Sequence, residues 1–445
     1  MAFKIVVIGG GSVLWMPRLG CDMLMEPALD GSELFLVDID TKAAKLIQEY
    51  LSSCNKQLKR NWKISVDNED NALKNADCVV VSISTGGFEA MDKDYTIPEK
   101  FGVFHSVSDT TGPGGIFRTL RNAPVFIKLA EKMNKLCPNA WMLHVTNPLS
   151  QITRIVNATG LVRCCGLCHE VAIALKALRQ IFDCPDLDAK VVGVNHFTLF
   201  TELYSSVLKD PMKALNLTTY LENCHKIAAS SGSVDDLVSK GTAHTLPLYF
   251  NFYLKDIIGC YPAAGSPHIV ENFPRFLNDE TLIEKFKLYR KGVLPRRPEN
   301  KRDMTIKLQK TLDENVIPPE TNERSLEMLC DALVGLLTGE NRRIVATLPN
   351  IGQISNLPKD CSVETFAVAS LDRITPVMSG EIPMSCYGFM ASVAAEQELS
   401  CQAALKKDRQ IVRQAMFASP LFHQKEKTDE LVNAMFEAEK AWLDW

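Results

Sequence analysis

The stretch Lys4-Ile5-Val6-Val7-Ile8-Gly9-Gly10-Gly11-Ser12 decides how this chain is read. Its apolar, mostly β-branched run favours extended backbone buried on both faces, and the glycines let the chain turn sharply where the run ends. A helical pattern from Val13 to Met25 follows. The alternation continues outward. Glu33 to Val37 is a second apolar run, ending at Asp38, and a long helical pattern runs from Thr41 to Gln57. Cys78 to Ile83 is a continuous apolar run stopped by Thr85-Gly86-Gly87, and Trp141 to Val145 is stopped by Thr146-Asn147-Pro148. Apolar strands alternating with helices predict an α/β fold, a Rossmann-like doubly wound parallel sheet with helices on both faces.

Beyond residue 190 the pattern loosens. Val191 to Val194 is a strand candidate, and loops rich in Gly and Pro lie around Gly259 to Pro274. Lys287 to Asn322 is charged and proline-bearing and reads as an exposed excursion. Helical periodicity returns from Ser325 to Leu337 and from Glu396 onward. The expectation is a nucleotide-binding domain over residues 1–190 and a second, α+β domain over 191–445 that carries substrate and metal groups and the oligomer contacts.

Of the 445 residues, 46% are hydrophobic and 23% charged, and the net charge is −4. That balance gives no reason to expect nucleic acid or an acidic membrane as partner. No uncharged apolar run reaches the roughly 18 residues of a membrane span. The first apolar run ends in glycines rather than in a cleavage pattern, so a cytoplasmic protein is expected. The 14 cysteines then read as reduced thiols.

A strand, a glycine turn and a helix bring backbone N–H groups and a helix N-terminus to one place, which suits a pyrophosphate. Asp38 ends the second strand, where a carboxylate can accept from a ribose hydroxyl and favour NAD over NADP. The third glycine of the dinucleotide fingerprint is absent, position 14 being Leu. A plain strand-to-helix turn would use the same glycines.

Three further loops carry chemistry and follow apolar runs: Thr146-Asn147-Pro148, Gly166-Leu167-Cys168-His169-Glu170 and Gly193-Val194-Asn195-His196. In open α/β sheets ligands bind beyond the carboxyl ends of the strands. A thiolate from Cys168 and an imidazole from His196 could share one divalent ion there. Core or surface positions for both are the plainer alternative.

Taken in order, Gly9-Gly10-Gly11-Ser12, Asp38, Thr111-Gly112-Pro113-Gly114-Gly115, Thr146-Asn147-Pro148, Cys168-His169 and Gly193-Val194-Asn195-His196 resemble glycoside hydrolase family 4. Ser106-Val107-Ser108-Asp109-Thr110, Cys168-His169-Glu170 and Pro262-Ala263-Ala264-Gly265, with His268 and Glu271, resemble its α-galacturonidase branch. The resemblance implies an exception to two-carboxylate glycosidases. NAD⁺ takes hydride from sugar C3, a base removes the C2 proton, the aglycone leaves, water adds and the hydride returns. A divalent metal, usually Mn²⁺, polarises the C2 and C3 oxygens.

Carried over by position, the resemblance implies Cys168 and His196 as metal ligands and Gly9, Gly11, Ser12 and Asp38 as the NAD site. Asn147 would contact substrate, and His169 would be a general acid or a residue that orients Cys168. Tyr261 or His268 would be the base. The branch pattern has Asp-Arg where this chain has Ser266-Pro267. A uronate would want a bidentate arginine, with Arg118, Arg121, Arg342 and Arg343 as candidates. The expected partner is a small-molecule glycoside, and the expected assembly a homodimer or homotetramer. Two alternatives are a lactate/malate-type NAD-dependent dehydrogenase and a non-catalytic NAD-binding protein.

Overall fold

The computed structural model describes residues 2–231, 248–292, 297–443 and 445. Six strands, β1 (Lys4–Ile8), β2 (Glu33–Val37), β3 (Lys63–Val66), β4 (Cys78–Val81), β5 (Trp141–His144) and β6 (Arg163–Gly166), pair in parallel. Three antiparallel strands from far along the chain, β10 (Arg342–Pro349), β11 (Ser362–Ser370) and β12 (Arg373–Pro376), extend the sheet beyond β6. The order across this nine-stranded sheet is β12-β11-β10-β6-β5-β4-β1-β2-β3. A second, antiparallel sheet holds β7 (Asp188–Val194), β8 (Phe197–Tyr204) and β9 (Tyr261–Pro262).

The continuous apolar runs have the cause expected of them. In β1, Ile5 and Val7 pack into one core cluster with Leu36, Leu51 and Leu143, whereas Val6 and Ile8 pack into another with Val79, Phe126 and Met142. Alternate side chains leave opposite faces of a strand, so burial of both faces needs apolar residues at every position. Helices α1 (Met16–Met25), α2 (Thr41–Gln57), α4 (Gly87–Glu99), α5 (Gly112–Leu136), α6 (Leu149–Thr159) and α7 (Glu170–Ile181) are among those that cover the sheets, with α3 (Glu69–Leu73) before β4.

Boundaries moved where local chemistry intervened. The first helix starts at Met16, with Pro17 in its first turn, and not at Val13. The run from Cys78 leaves the ladder after Val81, and the Ile83 amide donates instead to Thr146 Oγ1 at 3.0 Å.

The stretch Lys287 to Asn322 is largely exposed where it is described, as expected, but it does not stand clear of the core. Residues 293–296 lie outside the described part, but a helix, Arg297–Asp313, packs against α2. Leu308 is buried in the same core cluster as Ile47 and Leu51. Beyond the helix, buried Glu320 accepts from the Tyr50 hydroxyl of α2. The surface of the helix is so charged that its single buried Leu308 gives no visible apolar stripe. Among the described residues no helix is long and apolar enough to cross a membrane.

Removing a buried leucine costs about 2–5 kcal/mol. Leu308→Ala should therefore lower the urea or thermal unfolding midpoint clearly, whereas Ile306→Ala, at a position 60% exposed, should shift it little. Equal, negligible shifts for both would mean that this helix does not dock.

Candidate active site

At the carboxyl end of β1 the Gly9 and Gly10 amides donate to the Val37 carbonyl at 2.9 and 3.0 Å. A side chain at Gly9, where φ is +89°, would place its Cβ 2.0 Å from the Ser82 carbonyl oxygen. Asp38 accepts from the Gly11 amide at 2.9 Å and from the Asp40 amide at 2.9 Å. A Cβ at Gly11 would lie 3.0 Å from that carboxylate. The glycine turn and Asp38 are thus locked to each other, and each Asp38 oxygen still has a lone pair for a ribose hydroxyl. Sequence reasoning brought Gly9, Gly11, Ser12 and Asp38 together, and the fold does the same. This cradle fits a dinucleotide.

The next feature joins loops distant in sequence. The β7–β8 hairpin turns through Asn195 and His196, and His196 takes the left-handed backbone conformation at φ +65°. Such a conformation is unfavourable for a non-glycine residue and is held by its surroundings. Those surroundings are Ser150 Oγ, which receives the Asn195 amide at 3.3 Å, and buried Glu364, which receives Asn195 Nδ2 at 2.9 Å. The turn delivers His196 to Asp109, 3.4 Å from Nδ1 to Oδ1. His268, on a short helix entered through Pro267, approaches the same oxygen at 3.8 Å. The two imidazole rings are 3.7 Å apart. Asp109, His196 and His268 each offer one ligand atom, all within 4.8 Å of one another.

The hydrogen bonds assign roles. Thr110 Oγ1 donates its single proton to Asp109 Oδ1 at 2.9 Å, so His196 Nδ1–H must donate to Thr110 Oγ1 at 2.8 Å. The other ring nitrogen, Nε2, is then left to face Cys168, and it offers a lone pair only when the ring is neutral. Asp109 Oδ2 accepts from Asn147 Nδ2 at 2.8 Å. Burial would push the Asp109 carboxyl up, but His196, His268 and Arg118 outweigh it and hold it well below the usual range. Burial opposes charge on His196, yet Asp109 and then Cys168 outweigh it and raise that imidazole. Burial and the neighbouring His196 push His268 down to about 4. Its Nδ1 is buried without a hydrogen-bond partner. An ionised carboxylate, a neutral imidazole with an orphaned lone pair, and a thiol beside the second imidazole make a donor set that fits a divalent cation.

The loops are tied together by carboxylates. Glu271 Oε1 accepts from the Ser106, Val107 and Ser108 amides at 2.9, 2.8 and 2.8 Å, joining the His268 segment to the Asp109 loop. Glu170 Oε2 accepts from the Gly265 amide at 2.6 Å, joining the start of α7 to that segment. His169 pairs through Nδ1 with Glu327 at 2.6 Å. Burial disfavours its charge, but Glu327 outweighs this and pushes His169 up to about 10.

Not every expected residue arrives. Tyr261, expected as a base, is fully buried among Phe200 and Phe252, with ring centroids 5.8 and 5.2 Å away. Burial alone raises its phenol, with no cation to oppose it, so it stays protonated. Arg121 is occupied by Asp94 and Glu439, Arg342 by Glu26, Asp331 and Glu340, and Arg343 by Asp188. Asn147 does reach the cluster, where its amide steadies Asp109. Asp109 and Glu327 had no role in the sequence reading. Asp109 stood inside a quoted stretch, Ser106 to Thr110, which was the available signal.

Residues 4–184 match the model described as family 4 glycosyl hydrolase, and residues 191–422 match that family's C-terminal domain. An alpha-galacturonidase of Thermoanaerobacter italicus is 33% identical over 99% of this chain and 97% of its own length. The crystal structure of Bacillus subtilis lplD superposes with a TM-score of 0.84 at 26% identity, covering 98% of this chain and 99% of the other. A 6-phospho-alpha-glucosidase from gut microorganisms, solved with NAD and Mn²⁺, gives 0.81 at 18% identity, covering 100% and 99%. At that identity the likeness is one of fold.

Asp109→Asn keeps the size and removes the charge. It should weaken Mn²⁺ binding, followed by titration calorimetry, by about tenfold or more, because a neutral amide replaces an anionic oxygen in the donor set. An unchanged Mn²⁺ affinity would take Asp109 out of the ligand set.

Proposed function

We propose, from the premise that the chain belongs to family 4 of the glycosyl hydrolases, that it is an NAD- and divalent-metal-dependent α-galacturonidase. The observation that carries the chemistry is the convergence of Asp109, His196 and His268, with Cys168 alongside. Its substrate assignment is supported by the identity to the Thermoanaerobacter italicus enzyme, and its cofactors by the cradle at Gly9 to Asp38 and by the NAD and Mn²⁺ in the gut enzyme. When bound, NAD supplies reversible hydride acceptance and the metal supplies Lewis acidity toward sugar oxygens.

The residues divide the work. Gly9, Gly11, Ser12 and Asp38 would hold the dinucleotide. Asp109, His196, His268 and Cys168 would hold the metal, which assigns His268 to the ligand set and not to proton abstraction. Asn147 keeps Asp109 aimed. His169 stands next to Cys168 as an imidazolium paired with Glu327, able to give a proton to a leaving-group oxygen.

With NAD⁺ and Mn²⁺ present, p-nitrophenyl α-D-galacturonide should be cleaved, and chelator should stop the reaction until Mn²⁺ is restored. NADH absorbance should not rise with product, because hydride leaves and returns within one turnover. A rise matching substrate consumed would instead establish a dehydrogenase, and failure on uronides with turnover of other glycosides would overturn the substrate. Asp38→Ala should weaken NAD binding about tenfold or more, through loss of a charge-assisted hydrogen bond.

A further inference from the structure

Among the described residues, Arg297 is the arginine near the cluster that is left without an anion. Arg121 lies between Asp94 and Glu439, at 2.8 Å from Nη1 to each. Arg118 reaches the same Asp94 at 3.3 Å, so two guanidiniums already share one carboxylate. Arg297 opens the helix Arg297–Asp313 and is partly buried. Among the described residues it forms no ion pair, and its hydrogen bond runs from Nη1 to Met91 Sδ at 3.8 Å.

That contact places it over α4, the helix that also fixes the Asp109 loop. Tyr95 of α4 donates to the Val107 carbonyl, and Ser108 Oγ donates to the Asp94 carbonyl at 3.0 Å. Burial and the nearby Arg118 both work against its charge, while Asp109 and Tyr95 are the acidic neighbours that favour it. A guanidinium does not deprotonate in a protein. A partly desolvated one beside a second guanidinium is costly unless an anion completes it. Once Asp109 is engaged by a metal, no protein carboxylate among the described residues remains to do so.

We propose that Arg297 receives the carboxylate of the uronic acid sugar and so sets the preference for uronides over neutral glycosides. The assignment rests on the uronide reading above. A planar fork of N–H donors matches a carboxylate bidentately and gains nothing comparable from the hydroxymethyl group of a neutral hexose.

The test compares wild type, Arg297→Gln and Arg297→Lys, all loaded with NAD⁺ and Mn²⁺, on p-nitrophenyl α-D-galacturonide and p-nitrophenyl α-D-galactoside. Alongside, D-galacturonate and D-galactose are titrated calorimetrically. Arg297→Gln should lower kcat/KM for the uronide about 10- to 100-fold more than for the galactoside, chiefly through KM, as loss of a charge-assisted pair predicts. Galacturonate affinity should fall with it, and Arg297→Lys should restore part of both. A wild type that cleaves the uronide, with an unchanged substrate ratio and galacturonate affinity in Arg297→Gln, overturns the Arg297 assignment and leaves the uronidase reading standing. Equal losses on both substrates also overturn it, marking a structural role. A wild type that cleaves only neutral or phosphorylated glycosides overturns both readings.

Discussion

The ionised carboxylate of Asp109, 4% exposed, is the constraint around which the site is arranged. A buried carboxylate is tolerated only if its lone pairs are met. Thr110 and Asn147 donate to it, and His196 and His268 bring positive charge or a polar edge to it. Each of those partners sits on a different segment. Meeting the needs of one charge therefore fixes the relative positions of the Thr146–Pro148 loop, the β7–β8 hairpin and the His268 helix. The same arrangement leaves His268 Nδ1 without a hydrogen-bond partner and sets the second nitrogen of His196 against Cys168, a group of donors that suits a cation.

The parallel half of the fold was legible because its cause is local. Strands buried on both faces must be apolar throughout, and β1, β2, β4 and β5 announce themselves that way. Strands β10 to β12 were not legible. In β11 a buried Glu364 interrupts the apolar pattern, and its burial is tolerated because Asn195 and Thr347 donate to it at 2.9 and 3.0 Å. Those partners belong to other segments and carry no mark in the strand itself.

Site residues followed the same division. The glycine turn and Asp38 are neighbours across adjacent strands, so their spacing carries the signal. Cys168 and His196 were singled out through the order of several motifs, and the fold sets them next to each other. The packing of Tyr261 was not legible, because sequence position along the loop after His196 says nothing about which way an edge strand faces, and here it faces Phe200 and Phe252. Apart from the adjacent Thr110, Asp109 is met by groups far along the chain, Asn147, His196 and His268. Arg297 lies in a segment whose charge made it look solvated throughout.

Glu271 gathers three successive amides of the Asp109 loop from a position 163 residues downstream of Ser108. On a ribosome the loop is therefore made long before its anchor exists. Until residue 271 has emerged and docked, the Ser106–Ser108 amides lack the carboxylate that gathers them, and Asp109 lacks His268 beside it. Contacts of such long sequence separation close late, since chain entropy must be lost before they form. The six parallel strands lie within the first 166 residues, whereas the cluster of Asp109, His196 and His268 can be complete only once the segment bearing His268 and Glu271 has docked.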